Sequence, residues 1–277
     1  MTNKYKLVVS DIDGTLTNVR GEISSTDMAT LHRIEQSGVR LAVSTGRAAK
    51  GSMPILQMLP AASGFHIFFD GALVCNTALN ESIYSRPIEK SLLSGAIELA
   101  HTHGLALELF SPDGYFVEAD DPLAAAHRDL MRLDWTVCDF TTLCESESII
   151  MGCLVVPTVE ESTFRPILSA YAAKAGIRFS WSSHAARPEI RMVNIVMKDV
   201  SKGAALRALC KHLRISESET IAIGDGSNDV SLLEAAGLAI AMQNGPPELL
   251  AAADYITADV DHSGFTQAME KFLFNLK

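Results

Sequence analysis

Three short apolar runs in this chain each end in a knot of small polar residues, and that arrangement restricts the fold more than any other feature. "KLVVS" runs into "DIDGT", "VRLAV" into "STGR", and "TIAI" into "GDGSND". A continuous apolar run of this length, bounded by turn residues, reads as a strand buried on both faces. Such strands belong to parallel sheets covered by helices. Between the first two runs, "SSTDMATLHRIEQSG" has a Ser/Thr/Asp start and a Gly stop, so it reads as a helix. "AAKGSMPILQML" reads as a second helix. "FHIFF" and "ALVCN" then flank Asp70-Gly71, a hairpin signal. The order β-α-β-α-β predicts a parallel sheet with crossover helices.

The middle of the chain breaks that pattern. "SIYSRPI", "LALELFSPDGYFVEA", "TVCDFTTL", "IIMGCLVVP" and "IRFSWSS" read as strands, with helical stretches near 89–103, 121–133 and 159–174. From "SKGAALRALCKHL" onward the first pattern resumes, through "TIAIGDGSND", "VSLLEAAG", "LAIAM" and "DYIT" to a last helix in "GFTQAMEKFLFNL". The expected architecture is α/β. Residues 1–83 and 194–277 form one discontinuous core, a doubly wound, mostly parallel, Rossmann-like sheet. Residues 84–193 form an inserted α+β domain.

Composition narrows the partners. A formal net charge of −10 disfavours nucleic acid and anionic membranes. No uncharged apolar run reaches the ~18 residues that span a bilayer. The start of the chain meets a charged strand end too soon for a signal h-region. Five cysteines, odd in number and without C-x-x-C spacing, read as reduced thiols rather than a zinc or disulfide framework. The expectation is a cytoplasmic protein, a monomer or small homo-oligomer, without membrane or nucleic-acid partners.

In open α/β sheets, ligands bind outside the carboxyl ends of the strands. "DIDGT", "STGR", the helix start "SKG" and "GDGSND" all reach that edge. Asp11, Asp13, Asp225 and Asp229 would crowd one cleft there, which is tolerable only around a cation. Hard oxygen donors without His or Cys select Mg2+ over zinc. Lys202 adds a positive charge and Thr45 a hydroxyl, and the whole set suits a phosphoryl group. Asp11 is the candidate nucleophile, forming an aspartyl phosphate. Asp13, two residues on, is the candidate general acid and base. Gly14, next in sequence, permits a sharp turn where a Cβ could clash. An EF-hand reading of "DIDGTLTNVRGE" places Asp11, Asp13 and Glu22 at positions one, three and twelve. It fails at position six, where Leu16 stands in place of glycine, and a strand rather than a helix precedes it. Trp181, His184 and Arg187 are weaker candidates for substrate contact, weighed against a packed tryptophan and solvated charges.

All four segments, in this order, resemble the motifs of the haloacid dehalogenase-like phosphatases. The closer resemblance is to the Cof-like sugar-phosphate phosphatases, which carry a large α/β cap (type IIB) between the second and third motifs. "ADYIT" and "HSGF" resemble that family's closing segment. The resemblance implies a magnesium-dependent hydrolase of small phosphoesters, sugar phosphates in particular. It implies Asp11 as nucleophile and Asp13 as acid/base. Mg2+ would be held by the Asp11 carboxylate, the Asp13 backbone carbonyl and Asp225, with Asp229 behind them or orienting Lys202. Thr45, the Gly46 amide, Lys202 and Asn228 would hold the phosphoryl oxygens. Two departures stand out: Asp70-Gly71-Ala72 where the family often has Asn-Gly-Ala, and Gln243-Asn244-Gly245 where it often has Gly-Asn-Ala. The alternatives are a phosphomutase of the same superfamily and a non-catalytic binder of phosphometabolites.

Overall fold

The computed structural model describes residues 4–184 and 186–274, without the side chain of His184. The chain forms two compact units. One runs up to Arg47, through Ser52–Tyr84 and on from Ser201. The other is Ser85–Val200 with Ala48–Gly51.

The first unit is built on a five-stranded sheet in the order Tyr255–Thr257, Leu238–Met242, Thr220–Gly224, Leu7–Ser10, Arg40–Val43. Every neighbouring pair is parallel. Leu7–Ser10 and Thr220–Gly224 are buried along their whole length, as strands covered on both faces must be. Leu7–Ser10 connects forward to one neighbour, whereas Thr220–Gly224 connects toward the opposite edge. The strand order therefore switches between these two, and Asp11 and Asp225 leave the sheet on either side of that switch, each just beyond its strand end.

The helices follow from their caps. Ser24 Oγ accepts from Asp27 N at 3.0 Å and opens Ser25–Gln36. Ser201 Oγ accepts from Ala204 N at 3.1 Å and opens Lys202–Leu213. That helix packs Leu206, Leu209 and Cys210 into a cluster with Leu7, Val9, Ala222 and Leu232.

The third expected strand departs from the simple β-α-β-α-β pattern. His66–Phe68 touches the parallel sheet through a single bridge, Ser44 to Ile67. Its ladder is instead antiparallel, with Leu73–Asn76, in a separate three-stranded sheet completed by Glu81–Ser85. The Asp70-Gly71 turn causes this. Phe69, Asp70 and Gly71 all have positive φ (52°, 54° and 98°), which reverses the chain within three residues.

The second unit carries a six-stranded sheet in the order Ile177–His184, Arg187–Met197, Met151–Pro157, Ala106–Phe110, Tyr115–Val117, Thr136–Val137. All pairs are antiparallel except the last. Helices Lys90–His103, Pro122–Met131 and Glu161–Ala172 accompany it. The expected strand "TVCDFTTL" is two elements: Thr136–Val137 is extended, and Asp139 caps a helix over Phe140–Ser146. The expected domain boundary at 193/194 falls inside the strand Arg187–Met197. Val193, Ile195, Val196 and Met197 are all buried, so the strand continues, and the units part at Val200/Ser201.

Candidate active site

Four carboxylates and one lysine meet at the switch point of the parallel sheet. Lys202 is buried at the first position of its helix, an unfavourable end for a cation. Two acids offset this: Lys202 Nζ donates to Asp11 Oδ1 and to Asp229 Oδ1, each at 2.6 Å. Burial pulls the ammonium toward neutrality, but Asp11, Asp229 and Asp70 outweigh it and hold the lysine charged. The other oxygen of Asp229 accepts from Gly226 N at 2.9 Å and Asp225 N at 3.1 Å. Asp229 therefore has both oxygens committed to the protein. It shapes the "GDGSND" loop and orients Lys202.

Asp11 and Asp225 have the less comfortable places. Burial pushes the Asp11 carboxyl well above the usual range. Lys202 opposes this, and Asp229, Asp225 and Asp13 add to it. Asp225 is pushed up to about 6 by burial and by Asp229, against the Thr15 hydroxyl and Lys202. Thr15 Oγ1 donates to Asp225 Oδ1 at 3.1 Å. Oxygens of Asp11, Asp225 and Asp229 all lie within 4.8 Å of one another. Crowded hard oxygens whose charge is resisted in the bare protein are the donor set of a hard divalent cation, and Mg2+ fits them.

Gly14 is required by contact as well as by conformation. Its φ is +85°, and a Cβ there would sit 2.2 Å from Asp225 Oδ2. Gly71 makes a similar close approach beside Lys202, where a Cβ would meet the Ser201 carbonyl at 2.3 Å.

The remaining sequence candidates occupy the rim. The Asp13 side chain is half-exposed and gripped by Arg47, whose Nε donates to Oδ2 at 2.7 Å and whose Nη2 donates to Oδ1. Asp13 has no hydrogen bond to the Lys202 cluster among the described contacts. Thr45 is buried, with Oγ1 accepting from Arg47 N at 3.2 Å. A Cβ on Gly46 would lie 3.0 Å from Asp70 Oδ1. Asn228 Nδ2 donates to that same oxygen at 2.8 Å, so its amide is engaged by an acid in this state.

Sequence reasoning left out Thr15 and marked Asp70 only as a turn residue and a departure from the family pattern. Asp70 is buried against Asn228 and close enough to Lys202 to raise it. The signal for Thr15 was its place inside "DIDGT". Asp70 had only the departure from Asn as a signal. Arg165 lies 4.6 Å from the Trp181 ring centroid and Arg187 Nη2 donates to Asp129 Oδ2 at 2.7 Å. The side chain of His184 lies outside the described residues.

A doubly wound sheet with this carboxylate–lysine cluster at its switch point defines a class of phosphoryl-handling α/β enzymes. The family model described as haloacid dehalogenase-like hydrolase matches residues 8–269. The chain belongs to that family and is a hydrolase of the phosphatase type. It is 29% identical over 97% of its length, and 98% of the relative, to the putative phosphatase YxeH of Bacillus subtilis. A haloacid dehalogenase-like hydrolase from Bacteroides thetaiotaomicron superposes with a TM-score of 0.83 at 29% identity, over 96% of this chain and 99% of that one. A solved subclass IIB sugar phosphatase shares the fold, with a TM-score of 0.77 at 22% identity over 96% and 98% of the two chains. The chain also matches a longer Arabidopsis thaliana protein named endoribonuclease YBEY, chloroplastic, at 26% identity over 98% of this chain. It spans only 47% of that protein. Among the described residues no helix is long and apolar enough to cross a membrane.

Proposed function

We propose that this protein is a magnesium-dependent phosphatase of small phosphorylated metabolites, sugar phosphates among them, working through an aspartyl phosphate on Asp11. The observation that carries this reading is the Asp11–Lys202–Asp229 chain, with both contacts at 2.6 Å, beside the cation-competent Asp225. Lys202 fixes one Asp11 oxygen, which orients the carboxylate as a nucleophile toward the cleft. Asp11 attacks phosphorus and the ester oxygen leaves, taking a proton from Asp13. Asp13 then accepts a proton from water. The water attacks the acyl phosphate, and Asp11 is released with inorganic phosphate. The ion pair with Arg47 must open before Asp13 can hand over a proton. Thr45, the Gly46 amide and Lys202 bind the phosphoryl oxygens, and Asn228 joins them if it leaves Asp70. Asp11, the Asp13 carbonyl and Asp225 would hold Mg2+, which would supply positive charge against the phosphoryl group.

The mutase alternative needs a second phosphate site. Among the basic residues of the insertion, Arg178, Arg187 and Arg191 lie close enough in sequence to suggest a cluster. Arg178 donates to Ser180 Oγ and the Val200 carbonyl, Arg187 to Asp129, and Arg191 to Glu161 at 2.8 Å. Arg187 and Arg191 are thus each paired with an acid, which favours hydrolysis, whereas Arg178 meets only neutral oxygens. The test is phosphate release from a panel of phosphoesters with and without Mg2+, run in oxygen-18 water. Mg2+-dependent release with label in the phosphate is the expected result. Conversion of a hexose 1-phosphate to its 6-phosphate faster than phosphate appears would overturn it.

A further inference from the structure

The inserted unit contains a second cluster of ligating side chains, unrelated to the residues above. Glu108 and Cys153 stand directly opposite each other on the antiparallel strands Ala106–Phe110 and Met151–Pro157. Residues so paired project from the same face of a sheet. The helix Pro122–Met131 lies against these strands and brings His127 over them. All three side chains are buried: Glu108 and Cys153 are fully inaccessible and His127 is 7% exposed. His127 Nδ1 is hydrogen-bonded to Glu108 Oε2. One ligating atom from each residue lies within 4.8 Å of the other two.

The cluster is polar beyond its local needs. Glu108 Oε1 is buried without a hydrogen-bond partner. The Tyr115 hydroxyl, also buried, lies beside Cys153 and within reach of the Glu108 carboxylate, but neither it nor Glu108 Oε1 makes a well-aligned hydrogen bond. A buried carboxylate oxygen without a well-aligned partner is costly, so a structure that keeps one calls for a further partner. That partner should be a cation, because the open atom is a carboxylate oxygen. The surrounding donors are one nitrogen, one sulfur and one oxygen, unlike the all-oxygen set around Asp11. Such mixed donors suit zinc, which binds His, Cys and Glu in tetrahedral sites, whereas Mg2+ and Ca2+ prefer oxygen alone.

We propose that Glu108, His127 and Cys153 form a zinc site inside the second unit, with the Tyr115 hydroxyl available as a fourth ligand. Charge supports this. On loading, the Cys153 thiol gives its proton to solvent, and one thiolate, one carboxylate and one neutral imidazole balance the charge of a divalent ion, so the loaded site carries no net charge. The metal would pin the helix Pro122–Met131 to the sheet and stabilise this unit independently of phosphoryl chemistry.

The test uses the full chain, stripped with chelator and then incubated with Co2+ as a spectroscopic stand-in for zinc, in excess Mg2+ to fill the Asp11 site. One equivalent of cobalt showing thiolate-to-metal charge-transfer absorption is expected, and added Zn2+ should bleach it. Cys153→Ala should abolish the band while leaving phosphatase activity near wild type. His127→Gln should weaken binding by tenfold or more. If Cys153→Ala does not fold, the wild-type spectrum and His127→Gln decide. No sulfur band in folded wild-type protein overturns the proposal. So does a band that survives Cys153→Ala, because it would come from another of the five cysteines.

Discussion

His66 should make the catalytic unit acid-sensitive, and the size of the effect follows from where its ring sits. The side chain is fully buried in the strand His66–Phe68. Its Nδ1 accepts from Val43 N at 3.1 Å, two residues before Thr45. That contact requires an unprotonated Nδ1, and Nε2 has no well-aligned acceptor. Burial therefore pulls the ring down to about 4, with the Ala61 carbonyl pulling weakly the other way. In the unfolded chain the ring protonates near the ordinary value of about 6.5. Between these values the unfolded state binds more protons, so stability is full above pH 6.5 and falls as the pH drops toward 4. The whole window amounts to about 3 kcal/mol, of which about 2 is lost between pH 7 and pH 5. Asp11 and Asp225 are shifted upward, so they act with opposite sign over an overlapping range. A variant that keeps them cancels their part. His66→Asn offers Val43 an amide oxygen and no titratable ring. With chelator present, the wild-type melting temperature should fall by about 4–8 °C more than that of His66→Asn between pH 7 and pH 5. Parallel melting curves for the two proteins over that range would refute the reasoning.

Asp11→Asn should reduce turnover at least about a thousandfold while leaving the far-UV spectrum unchanged, because the attacking charge is lost and the shape is kept. More than a tenth of wild-type turnover would remove Asp11 from its role. Chelation should abolish phosphate release and Mg2+ restore it. Ca2+ should bind without supporting turnover, since its looser coordination does not hold the oxygens in line; activity in excess chelator counts against the cation. Asp70→Asn removes a negative charge near Lys202 and still offers an oxygen to Asn228. It should lower KM for phosphoesters several-fold at ordinary ionic strength, and an unchanged or higher KM would show that Asp70 does not oppose the substrate. Gly14→Ala should cost most of the activity and some stability, because its Cβ would meet Asp225 Oδ2; a fully active variant would show that the loop can move aside.

Much of the catalytic unit was legible in the residues alone. Short, wholly apolar runs such as Leu7–Ser10 and Thr220–Gly224 have few other places to go than the centre of a parallel sheet, since no polar face remains for solvent. Strand ends that stop in Asp, Ser, Thr and Gly mark the ligand edge for the same reason, because buried strand positions exclude those charges. So the sequence by itself named Asp11, Lys202, Asp225 and Asp229 as partners across more than two hundred residues. The resemblance also offered Asp229 as a partner that orients Lys202, but the remaining pairings were not decided. Lys202 bridges Asp11 and Asp229, Arg47 takes Asp13, and Asn228 is held by Asp70, because side-chain reach and burial select partners that spacing cannot. The same limit explains the misread elements. The hairpin around Asp70-Gly71 is present as its residues predict, but His66–Phe68 joins the parallel sheet only through the Ser44–Ile67 bridge, and the Asp139 cap turns "FTTL" into a helix. Glu108, His127 and Cys153 carried no sequence signal at all. Their spacing matches no metal motif, and only the register of two strands and the placement of one helix bring a carboxylate, an imidazole and a thiol to one buried point.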